Sequence, residues 1–157
     1  MQYWLMKSEP DVYSLADLER EQHTIWDGVR NYQARNLMRD SMQVGDQVLF
    51  YHSNARPPGV AGLATVAQTG LADPSQFDPQ SPYFDPKASP DNPRWITVKL
   101  SYQDRFKRFV PLDELKAHPE LSELMVIRRG ARLSVQPVSA ADFKLICQLG
   151  NSPGTGS

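Results

Sequence analysis

Strand-like and short helix-like runs alternate along this chain without regular βαβ spacing. That irregularity points away from a doubly wound parallel sheet and toward an α+β fold with a curved or barrel-like sheet. Residues 2–6 (QYWLM) are short and aromatic-rich and read as an opening strand, ended by Lys7-Ser8-Glu9-Pro10 because proline cannot donate to a continuing ladder. Residues 46–51 (DQVLFY) and 59–69 (GVAGLATVAQT) read as two strands joined by the Pro57-Pro58-Gly59 turn, and so as an antiparallel pair. Residues 95–102 (WITVKLSY) alternate apolar and polar side chains, the mark of a half-buried strand. Residues 106–110 continue the sheet, and 133–135 form a last short strand stopped by Pro137.

The helices are short. Ser14 reads as an N-cap with Asp17 in the first turn, and Leu15 and Leu18 share one face, giving a helix over 14–22. A second covers 32–43, burying Leu37, Met38 and Met42; a third opens at 111–115 with Pro111 in its first turn. Ser139 caps a fourth, with Phe143, Ile146 and Leu149 on one face. Residues 25–31 read as a turn. Residues 70–94 hold six of the 13 prolines, long for a structureless connection, and are expected to form an ordered excursion pinned by Phe77, Tyr83 and Phe84. The expected organisation is one domain over 1–149, of five to six mixed strands flanked by short helices, and a flexible tail over 150–157.

Composition narrows the function classes. The single cysteine, Cys147, allows neither a disulfide framework nor a multi-cysteine metal site within one chain, and suits a reducing compartment. No apolar run approaches the roughly 18 residues of a membrane span, and the N-terminus lacks the pattern of a secretory signal. The net charge of -1 argues against binding nucleic acid by bulk electrostatics, so any such binding must rest on a local basic patch and a specific cleft.

No metal or catalytic signature stands out. His23, His52 and His118 have no metal-ligand spacing, and no cofactor motif occurs. Gly59-Val60-Ala61-Gly62 is too short for a nucleotide fingerprint and reads as close backbone packing within a strand. Neighbours in a strand point to opposite faces, so neither Lys7-Ser8 nor His52-Ser53 makes a natural nucleophile pair. Binding chemistry is better supplied. Polar and aromatic residues recur together at the ends of elements: Trp4/Lys7/Ser8/Glu9, Trp26/Arg30/Asn31/Tyr32/Arg35 and Tyr51/His52/Ser53/Asn54. Aromatic faces stack planar bases at roughly 1–3 kcal/mol per base, and neighbouring amides, hydroxyls and guanidinium groups read base edges. Taken singly, Trp4 and Trp26 also fit a hydrophobic core. Arg105, Lys107 and Arg108 fit either phosphate contacts or a solvated face offset by local acids.

YWLMKSEP at 3–10, WDGVRNYQARN at 26–36, GDQVLFYHSN at 45–54 and RLSVQPVS at 132–139 resemble, in order, the hallmark segments of the EVE domain family. The resemblance runs from residue 1 to about 149. It implies a PUA-like fold related to YTH domains, which hold a methylated base in an aromatic cage. It further implies a non-catalytic module that recognises a modified base, such as a modified cytosine, in DNA or RNA. Carried over position by position, the base-binding residues would be Trp4, Lys7, Ser8, Glu9, Trp26, Val29, Arg30, Asn31, Tyr32, Ala34, Arg35, Tyr51, His52, Ser53, Leu133, Ser134 and Gln136. Arg56, Arg128, Arg129 and Arg132 would contact phosphates. No cofactor, metal or membrane is expected. The expected state is a monomer, cytoplasmic, or associated with the nucleoid or nucleus of its cell. Two other readings stay open: a module for a small molecule or protein, and an enzyme that processes a base or nucleoside.

Overall fold

The computed structural model describes residues 1–130 and 132–151. Its strands are β1 (Tyr3–Ser8), β2 (His23–Ile25), β3 (Gln47–His52), β4 (Gly59–Ala72), β5 (Ile96–Pro111) and β6 (Val135–Val138). They form one mixed sheet in the order β2-β5-β4-β3-β1-β6. Among the described strands, β1 and β3 alone pair in parallel, with Tyr3 opposite Gln47 and Ser8 opposite His52. The helices are α1 (Leu15–Glu21), α2 (Tyr32–Asn36), α3 (Leu112–Ala117) and α4 (Ala140–Asn151). This is the α+β mixed sheet with short helices that the sequence predicts.

Side-chain alternation along the parallel pair builds two cores. Trp4, Met6, Val48 and Phe50 enter one, with Leu15, Leu18, Ala34 and Met38. Leu5, Leu49 and Tyr51 enter the other, with Leu115, Phe143 and Ile146. A strand buried on both faces needs a nearly continuous apolar run, which is how both segments read. Truncating a fully buried leucine such as Leu5 is expected to cost about 2–5 kcal/mol.

The two long strands are joined with repeated register shifts, between Val60 and Gly62 and again from Leu63 to Leu71. Each shift bends the ladder and increases its twist. Gly59 and Gly62 permit close approach of the two backbones: a Cβ at either would lie 2.3 Å from a carbonyl oxygen of β5, that of Val110 or Asp104. The pieces read at 95–102 and 106–110 belong to one continuous β5, which exposed Gln103, Asp104 and Arg105 join. Asp104 and Arg105 are paired there with Leu63 and Gly62. The glycine-rich segment is the close-packed strand expected.

Several boundaries move for identifiable reasons. Ser14 caps α1 through a reciprocal capping box with Asp17, as its sequence predicts. The second helix is shorter: α2 widens into a π turn over Leu37–Ser41. Pro111 sits at the N-cap of α3 rather than inside its first turn. β6 runs through Pro137, which is tolerated because β6 is an edge strand whose proline is exposed. A three-residue strand, β2, forms at the opposite edge where a turn was expected to begin. Ser139 Oγ accepts from the Asp142 amide at the start of α4, whose last residue is Asn151. Gly150 and Asn151 are therefore helical, and the rest of the expected tail lies outside the described residues.

The proline-rich excursion is ordered, and buried polar groups fasten its two ends. Gln76 is fully buried. Its amide donates to the carbonyls of Asp73 and Trp95 (2.8 and 2.9 Å) and accepts from the amides of Arg94 and Trp95 (3.0 and 2.9 Å). One side chain thus ties the two ends of the loop together. Tyr83 and Phe84 remain exposed. Among the described residues, no helix is long and apolar enough to cross a membrane.

Candidate functional site

A cleft of about 560 Å³ opens at the carboxyl end of β1. Four pieces of chain build it: Lys7-Ser8-Glu9 with Val12 and Tyr13; Thr24 to Arg30; Ser81-Pro82-Tyr83 from the excursion; and Ser134. The first wall is fixed by backbone hydrogen bonds. The Lys7 amide donates to the Ser134 carbonyl (2.9 Å), and the Ser53 amide to that of Ser8 (3.0 Å). Ser8 Oγ donates to the Tyr13 carbonyl at 2.6 Å, folding the 9–13 turn over the end of the strand.

Trp26 forms the apolar base. It is 7% exposed, packs edge-on against Phe50 with centroids 5.6 Å apart, and lines the cleft. Its amide donates to Val98 (2.9 Å), and its carbonyl accepts from Thr97 Oγ1. Gly28 then turns the chain with φ +83°, a conformation that L side chains avoid. Its amide donates to Asp73 Oδ2 (2.8 Å), and Tyr83 lies so close that a Cβ would sit 2.7 Å from the ring. The Tyr83 wall therefore stands directly on Gly28.

Arg30 holds that wall in place. Its guanidinium donates to Asp73 (3.1 Å), to Ser75 Oγ (3.0 Å) and twice to the Tyr83 carbonyl (3.0 and 2.6 Å). It also lies 4.9 Å from the Trp95 ring centroid. With its donors committed inward, Arg30 holds the shape of the cleft wall.

The cleft is electrostatically mixed. Burial lowers the Lys7 pKa. Burial first, and then the negative charge of Asp73, raise that of Asp27. Glu9 receives the Asn54 amide group at 3.2 Å.

Of the residues expected to bind the base, Lys7, Ser8, Glu9, Trp26, Val29, Arg30 and Ser134 come together here. The others sit elsewhere. Trp4 is 2% exposed and donates its indole N–H to buried Asp46 (3.0 Å). Asn31 caps α2 by accepting from the Ala34 amide (2.9 Å), and Ala34 is core. Tyr32 stacks on Trp95 with centroids 4.8 Å apart and lies under Arg35, whose Nη1 donates to the Arg94 carbonyl. Tyr51 belongs to the second core, where burial pushes its phenol up to about 12. Leu133 packs against the first core, and Gln136 is buried with its Nε2 on the Leu133 carbonyl (2.8 Å). Ser53 contributes the backbone bond already described.

His52 turns away into a smaller neighbouring cleft of about 240 Å³, where its Nε2 accepts from the Leu15 amide at 3.1 Å. Arg105, Lys107 and Arg108 line the same hollow. Arg105 and Arg108 are paired with Glu19 and Glu114, which is the solvated-face alternative. Arg56, Arg128, Arg129 and Arg132 are exposed and line neither cleft, and Arg128 is paired with Glu123. Sequence reasoning passed over Tyr13, Asp27 and Tyr83 as site residues. Asp27 lay inside a hallmark segment, and Tyr83 inside the excursion, as the signals available. Among the described residues, no group of three His, Cys, Asp or Glu side chains is placed to hold a metal ion.

The candidate site is thus a partly apolar, partly charged cleft at the end of the sheet's parallel pair. The chain belongs to the EVE domain family, whose model matches residues 2–149. Thymocyte nuclear protein 1 from Homo sapiens is 39% identical over 94% of this chain and 73% of its own length, and that from Danio rerio 42% identical over 94% and 71%. Among solved structures, a Pseudomonas syringae protein is 44% identical with a TM-score of 0.90, covering 94% of this chain and 99% of its own. The human THYN1 protein in complex with 5-methylcytosine-containing DNA is 38% identical with a TM-score of 0.89, covering 98% of this chain and all of its own (100%).

Proposed function

We propose that the cleft holds a modified nucleic-acid base, 5-methylcytosine in DNA being the first candidate, and that the protein is a reader without catalytic activity. The observation that carries the reading is a hollow large enough to admit a base, with an indole at its floor and polar groups on its walls, in a chain whose human relative was crystallised with 5-methylcytosine-containing DNA. Its volume falls within the roughly 300–1,000 Å³ usual for small-ligand clefts. Trp26, with Tyr13 and Tyr83 on the walls, supplies apolar and aromatic surface for a planar ring. Three side chains expected to complete an aromatic cage do not take part: Trp4 and Tyr51 are core, and Tyr32 is stacked outside.

A reader rather than an enzyme is favoured by how the polar groups are engaged. The Ser8 hydroxyl donates to a backbone carbonyl, and His52 faces the other cleft. Neither is free to form a nucleophile–base pair at the hollow. Extruding a base from a duplex costs a few kcal/mol, which a single strand largely avoids. The near-neutral chain predicts weak attraction to unmodified nucleic acid.

Fluorescence anisotropy with single- and double-stranded DNA and RNA tests the reading. Each oligonucleotide would carry plain, methylated or hydroxymethylated cytosine, at one stated salt concentration. The expected result is a preference of about tenfold or more for one modified base, lost in Tyr83→Ala. Uniformly weak binding across the panel would overturn it.

A further inference from the structure

The charged side chains of the cleft differ in one respect. Arg30 is bound inward to Asp73, Ser75 and Tyr83, Glu9 is bound by Asn54, and Lys7 also has a partner. Asp27 lines the same cleft, is exposed, and among the described residues receives no hydrogen bond beyond its own backbone amide. Although the residue as a whole is exposed, the cleft wall partly desolvates its carboxylate; this and the nearby Asp73 act against the anion, while Arg30 attracts it without an ion pair among the described contacts. A carboxylate so placed gains most from a donor arriving with the ligand.

From this geometry we infer, resting on the base-binding reading above, that Asp27 is a specificity-determining residue that selects pyrimidines bearing an exocyclic amino group over those bearing a keto oxygen. The amino group of a cytosine ring would donate to the carboxylate. The keto oxygen of thymine or uracil would bring a lone pair against it, with no donor at that ring position. A site built to bond one such group rejects an analogue that lacks it far more strongly than an apolar wall discriminates by shape. The Trp26 surface and Val29 then accept a methylated ring of either kind, and Asp27 separates the two.

The test uses the intact protein and single-stranded oligodeoxynucleotides that differ only at one central base: 5-methylcytosine, thymine, or 5-methylpyrimidin-2-one, which lacks the amino group. Wild type is expected to bind 5-methylcytosine at least about tenfold more tightly than either analogue. In Asp27→Asn the gap to thymine should shrink to within about threefold, because an amide both donates and accepts. Glu120→Gln, at an exposed carboxylate that lines neither cleft, should keep the wild-type ratio. Full discrimination by Asp27→Asn would overturn the assignment. Equal binding of 5-methylcytosine and its amino-free analogue by wild type would overturn it without any substitution, while leaving the base-binding reading intact. Binding of none of the three above plain DNA would remove that reading, and this inference with it.

Discussion

The Arg30 guanidinium donates to Asp73 Oδ2 at 3.1 Å, and the same oxygen receives the Gly28 amide at 2.8 Å. One carboxylate therefore fastens the turn carrying Trp26, Asp27 and Gly28 to the excursion carrying Tyr83. Asp73 is buried, and its second oxygen accepts from the Ser75 amide and hydroxyl. Asp73→Ala leaves these donors without an acceptor and is expected to cost about 2–4 kcal/mol. Urea unfolding measures it, and a loss below about 1 kcal/mol would show that water replaces the carboxylate adequately.

Gly28→Ala combines a positive φ with a Cβ that would overlap the Tyr83 ring. Gly45→Ala has a positive φ but open space around the new methyl group. Both substitutions should lose about 1 kcal/mol from backbone strain. Only Gly28→Ala should also weaken 5-methylcytosine binding, because Tyr83 must move. Equal binding by the two variants, with Gly28→Ala unchanged from wild type, would separate Tyr83 from the ligand.

Trp4→Phe removes the indole donor to Asp46 while keeping an aromatic ring in the core. Asp46 retains the Gln2 and Gln43 amides, so the expected cost is about 1–3 kcal/mol. Affinity for the modified oligonucleotide should be unchanged once the folded fraction is matched. A loss of affinity at full folding would return Trp4 to the binding site.

His52 gives the pH dependence a direction. Burial lowers its pKa from the ordinary 6.5, and its Nε2 needs a free lone pair to accept from Leu15. The unfolded chain therefore takes up the proton more readily than the folded one. The contribution of His52 is complete above about pH 6.5 and is lost as the pH falls through the lower folded value. Unfolding free energies at pH 7.5 and pH 5.5 should differ more for wild type than for His52→Gln. Equal differences would show that the imidazole stays neutral in both states or pairs equally in each.

Much of the fold was legible because its signals are local. Ser14 and Asp17 form the capping box their spacing predicts, and the alternation of Trp4, Leu5 and Met6 sorts them into two cores. Long-range pairing was not legible. Gln103 to Arg105 carry no apolar alternation and join the strand only because β4 lies beside them, and Pro137 looks like a stop until β6 is known to be an edge. The candidate site divides the same way. Lys7, Ser8, Glu9 and Trp26 were found because they lie in motifs at element ends. Tyr83 reaches the cleft only through the Asp73 and Gln76 network, which joins residues far apart in sequence. Tyr32 and Arg35 have the composition of a base cage, yet they stack with Trp95 beside the excursion.

The most direct test is an NMR titration of uniformly 15N-labelled protein with a single-stranded oligodeoxynucleotide carrying one 5-methylcytosine. Binding in the cleft predicts amide shift changes concentrated at Lys7 to Glu9, Trp26 to Arg30, Ser81 to Tyr83 and Ser134, together with the Trp26 indole N–H. The same changes should be much smaller with the unmodified strand. Shifts confined to Tyr32 and Arg35, or to Arg105 through Phe109, with the cleft signals unmoved, would contradict the account.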